Sequence, residues 1–194
     1  MVLDRLSAVQ TSVPGAVHEV EVKYRVGQEP ELLEALHCHG VQLSGPVRQD
    51  DQAYAPAGWR YGMSKVGVPF ARLRTQDNAH LFTVKRPVDN EMACLEHETV
   101  VADRGQMHDA LVTMGFVPTV RIVKTRRTGR WADAALCLDS VEGLGTFVEL
   151  EKLVGAQESG ERVQAHLDRM IRSLGVPVQR TTDTYDSLIR AAAA

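Results

Sequence analysis

The chain has 194 residues, of which 44% are hydrophobic and 24% are charged. These values are close to ordinary globular usage and argue against a disordered chain or a chain of several domains. Its 22 Lys and Arg residues and 25 Asp and Glu residues give a net charge of −3, so the overall charge does not indicate a nucleic-acid partner.

The sequence contains no sign of a membrane span or a secreted, disulfide-bonded protein. No apolar run approaches the roughly 18 residues of a membrane helix, and residues 1–15 are too polar for a signal peptide. Three cysteines lie far apart without a CxxC pair, which predicts buried reduced thiols; they are Cys38, Cys94 and Cys137. We expect one cytoplasmic domain over 16–190, without a membrane partner, with a flexible extension over 1–15 and a disordered tail over 191–194.

Strands are predicted to outnumber helices. Alternating apolar and polar residues predict eight strands, at 17–26, 46–55, 70–76, 79–86, 94–101, 117–127, 134–141 and 145–154. Helical periodicity and end signals predict helices at 29–39, 103–114, 158–174 and 184–190. Because most strands follow one another directly, the pattern favours an antiparallel α+β fold over a doubly wound parallel sheet. Residues 56–69 form a long Gly- and Pro-rich connection, of a kind that is often functional.

Charged side chains recur at alternate positions of nearly every predicted strand. A solvated outer face explains any single strand, but eight strands closed into a barrel would point the whole set into the lumen. A charged interior is costly unless its charges are paired or bind ions and ligands, so this arrangement predicts a multiply charged ligand. The set has seven acidic and seven basic members: Glu19, Glu21, Glu96, Glu98, Asp139, Glu149 and Glu151, with Lys23, Arg25, Arg72, Arg74, Lys85, Lys124 and Arg126.

Two pairs of glutamates, Glu19 with Glu21 and Glu149 with Glu151, suit a divalent cation. Carboxylates two residues apart on a strand project from the same face, and hard cations prefer oxygen ligands. Lys and Arg side chains at the same depth suit phosphate oxygens. Acidic metal ligands beside a basic cradle indicate phosphoryl or nucleotidyl transfer, although no P-loop, HExxH, GxSxG or kinase motif is present.

Several of these residues lie in short motifs that follow one another in the order of a known family. The chain resembles the CYTH, or triphosphate tunnel metalloenzyme, superfamily, which includes class IV adenylate cyclases and thiamine triphosphatases. The resemblance rests on Glu19-Val-Glu21-Val-Lys23 (ExExK), Gln49–Tyr54 (QxDxYF), Ala71-Arg72-Leu73-Arg74 (ALRIR), Leu81–Lys85 (LTxK), Glu96 with Glu98, Lys124–Arg127, Leu138-Asp139 and Gly143–Glu151. Thr184–Ile189 is similar to the SYxDLL ending of the class IV cyclase-like members. The chain departs from the family pattern at Ala53, Phe70 and Arg86.

The resemblance implies an eight-stranded antiparallel closed β-barrel, with helices packed outside, that binds a triphosphate together with Mg²⁺ or Mn²⁺. It assigns five residues to the metal: Glu19, Glu21, Asp139, Glu149 and Glu151. It assigns six to the substrate: Lys23, Arg72, Arg74, Lys85, Lys124 and Arg126. Of these, Lys124 and Arg126 are the catalytic candidates, since they would stabilise charge that develops on the phosphate and leaving group. No residue is identified as a general base.

Three functions remain open from the sequence. The leading interpretation is an adenylate cyclase, in which the ribose 3′-hydroxyl attacks the α-phosphorus of ATP and pyrophosphate leaves. The alternative is a triphosphatase for thiamine triphosphate, inorganic triphosphate or a nucleoside triphosphate. A non-catalytic nucleotide or polyphosphate sensor is less well supported, because anion binding does not require two acidic pairs. Trp59, Arg60, Tyr61 and Lys65 of the 56–69 connection could stack on a base and contact it; the alternative is a surface loop with incidental aromatic residues. The sequence does not decide between a monomer and a homodimer.

Overall fold

The computed structural model describes residues 17–88, 90–155 and 157–192. Within them lie nine strands and four helices: β1 (Val17–Val26), α1 (Glu29–Cys38), β2 (Val47–Pro56), β3 (Phe70–Gln76), β4 (Ala79–Pro87), β5 (Ala93–Val101), α2 (Arg104–Thr113), β6 (Phe116–Trp131), β7 (Ala134–Val141), β8 (Gly145–Gly155), α3 (Gly160–Ser173), β9 (Val178–Thr181) and α4 (Tyr185–Ala192). The predicted extension over 1–15 lies outside the described residues. Of the predicted tail, residues 191 and 192 instead continue α4, and 193–194 are not described. Cys94 and Cys137 are buried, whereas Cys38, for which burial was wrongly predicted, is exposed at the end of α1.

Eight antiparallel strands form a ring, which confirms the α+β fold class predicted from the sequence. The strand order is β5-β4-β3-β2-β6-β7-β8-β1, and a further pairing between β1 and β5 closes the ring. This closing ladder contains three residue pairs, from His18 opposite Leu95 to Val20 opposite Ala93. The ring is therefore closed through a short seam rather than as a regular barrel.

The ninth strand, β9, was not predicted, and it covers the part of β1 that β5 leaves free. It pairs with β1 from Lys23 opposite Thr181 to Val26 opposite Val178. On its other edge, β1 pairs with β8 along its whole length. One edge of β1 is thus divided between the ring seam and a C-terminal strand.

The main hydrophobic core lies outside the ring, between the strands and the helices. Val20, Val22 and Tyr24 alternate along β1 and are almost completely buried. They belong to one cluster with Leu32 and Leu36 of α1 and with the apolar stripe of α3, which consists of Val163, Leu167 and Ile171. The charged residues of β1 occupy alternate positions and point to the opposite face. The predicted arrangement of outer helices and an inward charged face is therefore confirmed.

The last helix, α4, takes a different position from α1–α3. Its first residues contribute to the cavity inside the ring, and Tyr185 packs edge-on against Phe147, with ring centroids 5.2 Å apart. Lys65, from the connection between β2 and β3, donates hydrogen bonds to Thr184 and Ser187 at 2.8 and 2.9 Å. The connection and α4 therefore hold each other in place. Within the described part of the chain, no helix combines the length and apolarity needed to cross a bilayer.

Candidate active site

The ring encloses a cavity of 330 Å³ whose walls are unusually rich in charge. Each predicted substrate residue lines it, as do four of the five predicted metal ligands. The fifth, Asp139, does not. Among the described residues, the cationic lining side chains are Lys23, Lys65, Arg72, Arg74, Lys85, Lys124 and Arg126, and the acidic ones are Glu19, Glu21, Asp51, Glu91, Glu96, Glu98, Glu149, Glu151 and Asp186.

The register between β1 and β8 brings the two glutamate pairs together. Glu21 lies directly opposite Glu151, and Lys23 lies opposite Glu149. Directly opposite residues of antiparallel strands share a face, so all four side chains project into the cavity. Carboxylate oxygens of Glu19, Glu21 and Glu151 lie within 4.8 Å of one another.

One lysine serves three of the carboxylates in this region. The ammonium nitrogen of Lys85 lies 2.6 Å from Glu19, 2.8 Å from Glu96 and 3.6 Å from Glu21. Burial raises the pKa of Glu19 to about 8, and the neighbouring Glu151 offsets part of the lowering by Lys85. One ammonium group thus serves three carboxylates, and Glu19 keeps its proton near neutral pH.

Within the described segments of the chain, Glu151 lacks a close cationic partner. Burial, with Glu149 and Glu21 nearby, raises its pKa to about 7. Its nearest cationic group is Arg126, with an N···O distance of 3.8 Å, longer than a hydrogen bond. A hard divalent cation, which prefers several oxygen ligands, fits the trio of Glu19, Glu21 and Glu151 on both geometry and charge.

Asp139 holds two of the cationic side chains from behind the cavity wall. It is fully buried. Arg126 donates to its two carboxylate oxygens at 2.6 Å each, and Lys124 donates to it at 2.8 Å. The Tyr185 hydroxyl also donates to it, at 2.9 Å. The structure therefore does not bring Asp139 together with the four glutamates predicted as metal ligands, because its oxygens are occupied by these donors.

Arg126 also reaches into the cavity, where it donates to Glu149 at 2.6 Å. Glu149 lies 3.2 Å from the Lys23 nitrogen as well. Burial would raise the pKa of Glu149, but Lys23 and Arg126 lower it well below its usual range. Glu149 is thus an ionised carboxylate, whereas burial raises the pKa of Glu19 and of Glu151.

Tyr185 supports the two lysines of the phosphate-binding set. The ammonium nitrogens of Lys23 and Lys124 lie 4.4 and 4.9 Å from the centre of its ring, within cation–π range. Burial and the adjacent Arg126 lower the pKa of Lys124 to about 8, although Asp139 opposes the change. Tyr185 lies in the C-terminal motif, from which no role in the site was predicted.

The opposite wall is formed by two arginines of β3. Arg74 donates both to Oδ1 and to Oδ2 of Asp51 at 2.8 Å, and the pair is buried. Arg74 and Arg72 outweigh the effect of burial and lower the pKa of Asp51 to about 2. Arg72 is more accessible and donates to Thr83 at 3.0 Å and to Glu98 at 3.2 Å. Asp51 was not predicted as a site residue, although it lies in the QxDxYF stretch. The register between β2 and β3 places it opposite Arg74.

The connection between β2 and β3 brings one of its two aromatic candidates to the cavity. Trp59 lines the cavity and packs edge-on against Phe70, with ring centroids 5.0 Å apart. Tyr61 is not part of the lining; its ring lies 4.0 Å from the guanidinium carbon of Arg190 on α4. Lys65, also predicted as a candidate for contact with a base, lines the cavity and forms an ion pair with Glu91 at 3.0 Å. Of the two aromatic residues predicted to stack on a base, Trp59 therefore lies in the cavity wall and Tyr61 does not.

Proteins with the same fold come from archaea, bacteria and plants. The PH1819 protein from Pyrococcus horikoshii has a TM-score of 0.75 at 24% identity, covering 89% of this chain and 98% of that one. A Hippeastrum protein, described as a proposed adenylyl cyclase with a dominant triphosphatase activity, has a TM-score of 0.61 at 20% identity, covering 90% and 95%. At these identities the similarity shows the fold alone.

Sequence comparison identifies the family. A Methanocaldococcus jannaschii protein whose name proposes adenylate cyclase activity is 24% identical over 160 residues, covering 81% of this chain and 90% of that protein. The model of the CYTH domain matches residues 17–185, which include β1–β9 and every charged side chain of the cavity described above except Asp186. The chain therefore belongs to the CYTH domain family.

Proposed function

We propose that this chain is a metal-dependent enzyme acting on a triphosphate, and that it converts ATP to cyclic AMP and pyrophosphate. The observation that carries the proposal is the presence, in one cavity, of a carboxylate trio and of lysines and arginines that suit phosphate oxygens. Binding of an anion alone would not require the trio, since carboxylates repel phosphate. The name of the M. jannaschii relative supports the cyclase, and the Hippeastrum protein supports a triphosphatase as the alternative.

The metal would be held by Glu19, Glu21 and Glu151, with Glu149 at the adjacent position. Mg²⁺ and Mn²⁺ both suit these oxygen ligands. When bound, such an ion neutralises phosphate charge and makes a coordinated hydroxyl more acidic. The residues of this chain bring the trio together before any ligand arrives, because strand register fixes their positions.

The triphosphate would be held by Lys23, Arg72, Lys85, Lys124 and Arg126. Arg126 would present Nη1 to phosphate oxygens, because its Nε and Nη2 groups donate to Asp139 and Glu149, whereas a lysine acts as a point charge. Asp139 keeps Lys124 and Arg126 at fixed positions, which favours stabilisation of charge that develops during the reaction. Arg74 is committed to Asp51 and would act mainly by orienting that wall.

Apolar side chains in the cavity lining favour a nucleoside triphosphate over inorganic triphosphate. They include Ala53 and Ala55 of β2, Phe70 at the start of β3, and Trp59 from the connection, which packs against Phe70. A purine ring could pack there, while the phosphates lie among the charged side chains.

The products decide between the two activities. Purified protein would be incubated with ATP and Mn²⁺ or Mg²⁺, and nucleotides and phosphates would be separated by ion-exchange chromatography. A cyclase yields cyclic AMP and pyrophosphate in equal amounts, whereas a triphosphatase yields ADP with phosphate. Thiamine triphosphate and inorganic triphosphate would be tested in parallel. The absence of turnover with every substrate, or full turnover in excess EDTA, would contradict the proposal.

Trp59→Ala is expected to raise the KM for ATP about tenfold while leaving the binding of inorganic triphosphate nearly unchanged. Stacking of a base on an aromatic ring contributes about 1–3 kcal/mol, and inorganic triphosphate has no base to lose. Val66→Ala is the matched control, because Val66 lies in the same connection, is 44% exposed and lies outside the cavity lining. Isothermal titration with both ligands measures the difference. Equal losses for the two ligands in Trp59→Ala would assign Trp59 to folding instead.

A further inference from the structure

The connection between β2 and β3 contains a buried lysine. Residues 57–69 form neither helix nor strand. Lys65, near the end of this connection, is nevertheless only 7% exposed. Burial of an ammonium group is costly unless its N–H groups have acceptors. The partners of Lys65 therefore indicate what this side chain does.

The three N–H groups of the Lys65 ammonium all have acceptors. It donates to the hydroxyl oxygens of Thr184 and Ser187 at 2.8 and 2.9 Å, and it forms an ion pair with Glu91 at 3.0 Å. An ammonium group has three donors, so these contacts leave none for a phosphate oxygen. Lys65 thus lines the cavity without being available to a triphosphate.

The partners of Lys65 come from two segments that are distant in sequence. The two hydroxyl groups lie at the start of α4, and Glu91 lies in the turn between β4 and β5. Two residues after Lys65, the backbone N–H of Gly67 donates to the oxygen of Pro87 at the end of β4, at 2.8 Å. Lys65 is thus the side chain through which the connection is fastened both to α4 and to this turn.

The orientation of Trp59 depends on this attachment. The indole Nε1 of Trp59 donates to the backbone oxygen of Ser64, the residue before Lys65, at 3.3 Å. The indole ring packs edge-on against Phe70 and is 9% exposed. A fixed Lys65 side chain therefore fixes the carbonyl group that orients the indole.

We propose that Lys65 is a positioning residue whose contacts hold Trp59 in the cavity wall, so that the site favours nucleoside triphosphates over inorganic triphosphate. The ligands that gain from Lys65 are those with an aromatic ring system attached to the triphosphate, because only these can pack on the indole. The preference among ligands rests on the proposed function. The position of Trp59 does not, and it is tested separately.

Tryptophan fluorescence of the ligand-free protein tests the position of Trp59. The chain has two tryptophans, so Trp131→Phe leaves Trp59 as the only one. In this background, Lys65→Met keeps a long apolar side chain but removes the ammonium group. It should shift the emission of Trp59 to longer wavelength and raise the acrylamide quenching constant several-fold. Lys152→Met is the matched control and should change neither, because Lys152 pairs with Asp133 at 2.7 Å and lies outside the cavity lining.

Glu91→Gln provides a second variant in case Lys65→Met impairs folding. It keeps an acceptor for Lys65 but removes the charge, so it should change the emission and quenching in the same direction by a smaller amount. Parent-like fluorescence in folded Lys65→Met would overturn the proposal. If Lys65→Met does not fold, parent-like fluorescence in Glu91→Gln would overturn it instead.

Steady-state kinetics tests the preference among ligands. Lys65→Met should raise the KM for ATP about tenfold with kcat unchanged, as expected for loss of a base-stacking contact that is equal in the ground and transition states. The KM or inhibition constant of inorganic triphosphate should not change. In a Trp59→Ala background, Lys65→Met should have no further effect on ATP, because both substitutions remove the same contact. Lys152→Met should leave all these constants unchanged.

Two kinetic results would overturn the proposal. Equal losses for ATP and inorganic triphosphate in Lys65→Met would make Lys65 a phosphate ligand. Additive losses in the Trp59→Ala background would show that Lys65 acts independently of Trp59. If the chain turns over no triphosphate, the proposed function fails, whereas the fluorescence still decides whether Lys65 positions Trp59.

Discussion

Arg126→Ala is expected to lower turnover by about 100- to 1000-fold, the usual loss when one preorganised donor to a developing charge is removed. Its guanidinium is shared between Asp139 and Glu149, with each contact at 2.6 Å. The same substitution removes one cationic partner from each of these buried carboxylates, which keep Lys124, Tyr185 and Lys23, and should lower the free energy of unfolding by about 1.5–3 kcal/mol. Steady-state kinetics and urea unfolding measure the two effects separately.

Arg127→Ala is a stringent control for this substitution. Arg127 follows on the same strand, so its side chain lies on the opposite face of the ring, where it donates to the backbone oxygen of Ser44 at 3.0 Å. We expect no change in turnover and a loss of less than about 1 kcal/mol of stability. Arg126→Lys should lie between the parent and Arg126→Ala, because it keeps the charge but loses the bidentate contact. Parent-like turnover in Arg126→Ala would refute the assignment of this face to the substrate.

Glu151→Gln is expected to change activity and stability in opposite directions. Turnover should fall by more than about 100-fold, because loss of even an outer-shell partner of a metal ligand typically costs 10- to 100-fold. The metal-free protein should at the same time become more stable at pH 8. With a pKa raised to about 7 from an ordinary 4.5, ionised Glu151 costs the folded state about 3 kcal/mol, which an uncharged glutamine does not.

The direction of the pKa shift of Glu151 determines how the stability of the protein changes with pH. The raised pKa means that the folded chain binds more protons than the unfolded chain between the two pKa values. The stability contributed by protonated Glu151 is therefore fully present below about pH 4.5 and is lost as the pH rises through about 7. In EDTA, the melting temperature of Glu151→Gln should exceed that of the parent by roughly 5–10 °C at pH 8 and should match it at pH 4.5.

Two further glutamine variants complete the test. Glu149→Gln should destabilise the metal-free protein, because Glu149 is the ionised partner of Lys23 and Arg126. Glu142→Gln, at a side chain that is 70% exposed, should change neither stability nor turnover. A Glu151→Gln protein that is less stable than the parent at pH 8 would show that Glu151 is already neutralised by the chain itself.

Local patterning predicted most of the ring, because strand alternation determines which side chains share a face. Charged residues at alternate positions, together with amphipathic helices that need an apolar surface, were enough to place the charged face inward. The β9 strand was missed because four residues, Val178–Thr181, give too short an alternation, and because it pairs with a strand more than 150 positions away.

Most charged residues that line the cavity were predicted from the sequence, but the depth at which each side chain lies was not. The face that carries Asp139 was predicted correctly, yet sequence cannot tell that its oxygens are occupied by Lys124, Arg126 and Tyr185 behind the wall. Lys65 reaches the cavity only because its connection packs against α4. Such contacts depend on tertiary packing between distant segments, which no local spacing records.

The division of one β1 edge between β5 and β9 has a consequence for solubility. Between Lys23 and Val26, β9 occupies backbone groups that the ring itself leaves unpaired. An unpaired strand edge is a template on which another chain can add, and such edges promote aggregation. Arg180 fastens β9 to α3 through Asp168, at 3.1 Å. A chain shortened to residue 177 would lack β9 and would expose this edge of β1 to other chains. We therefore expect the shortened chain to associate with itself more readily than the full chain.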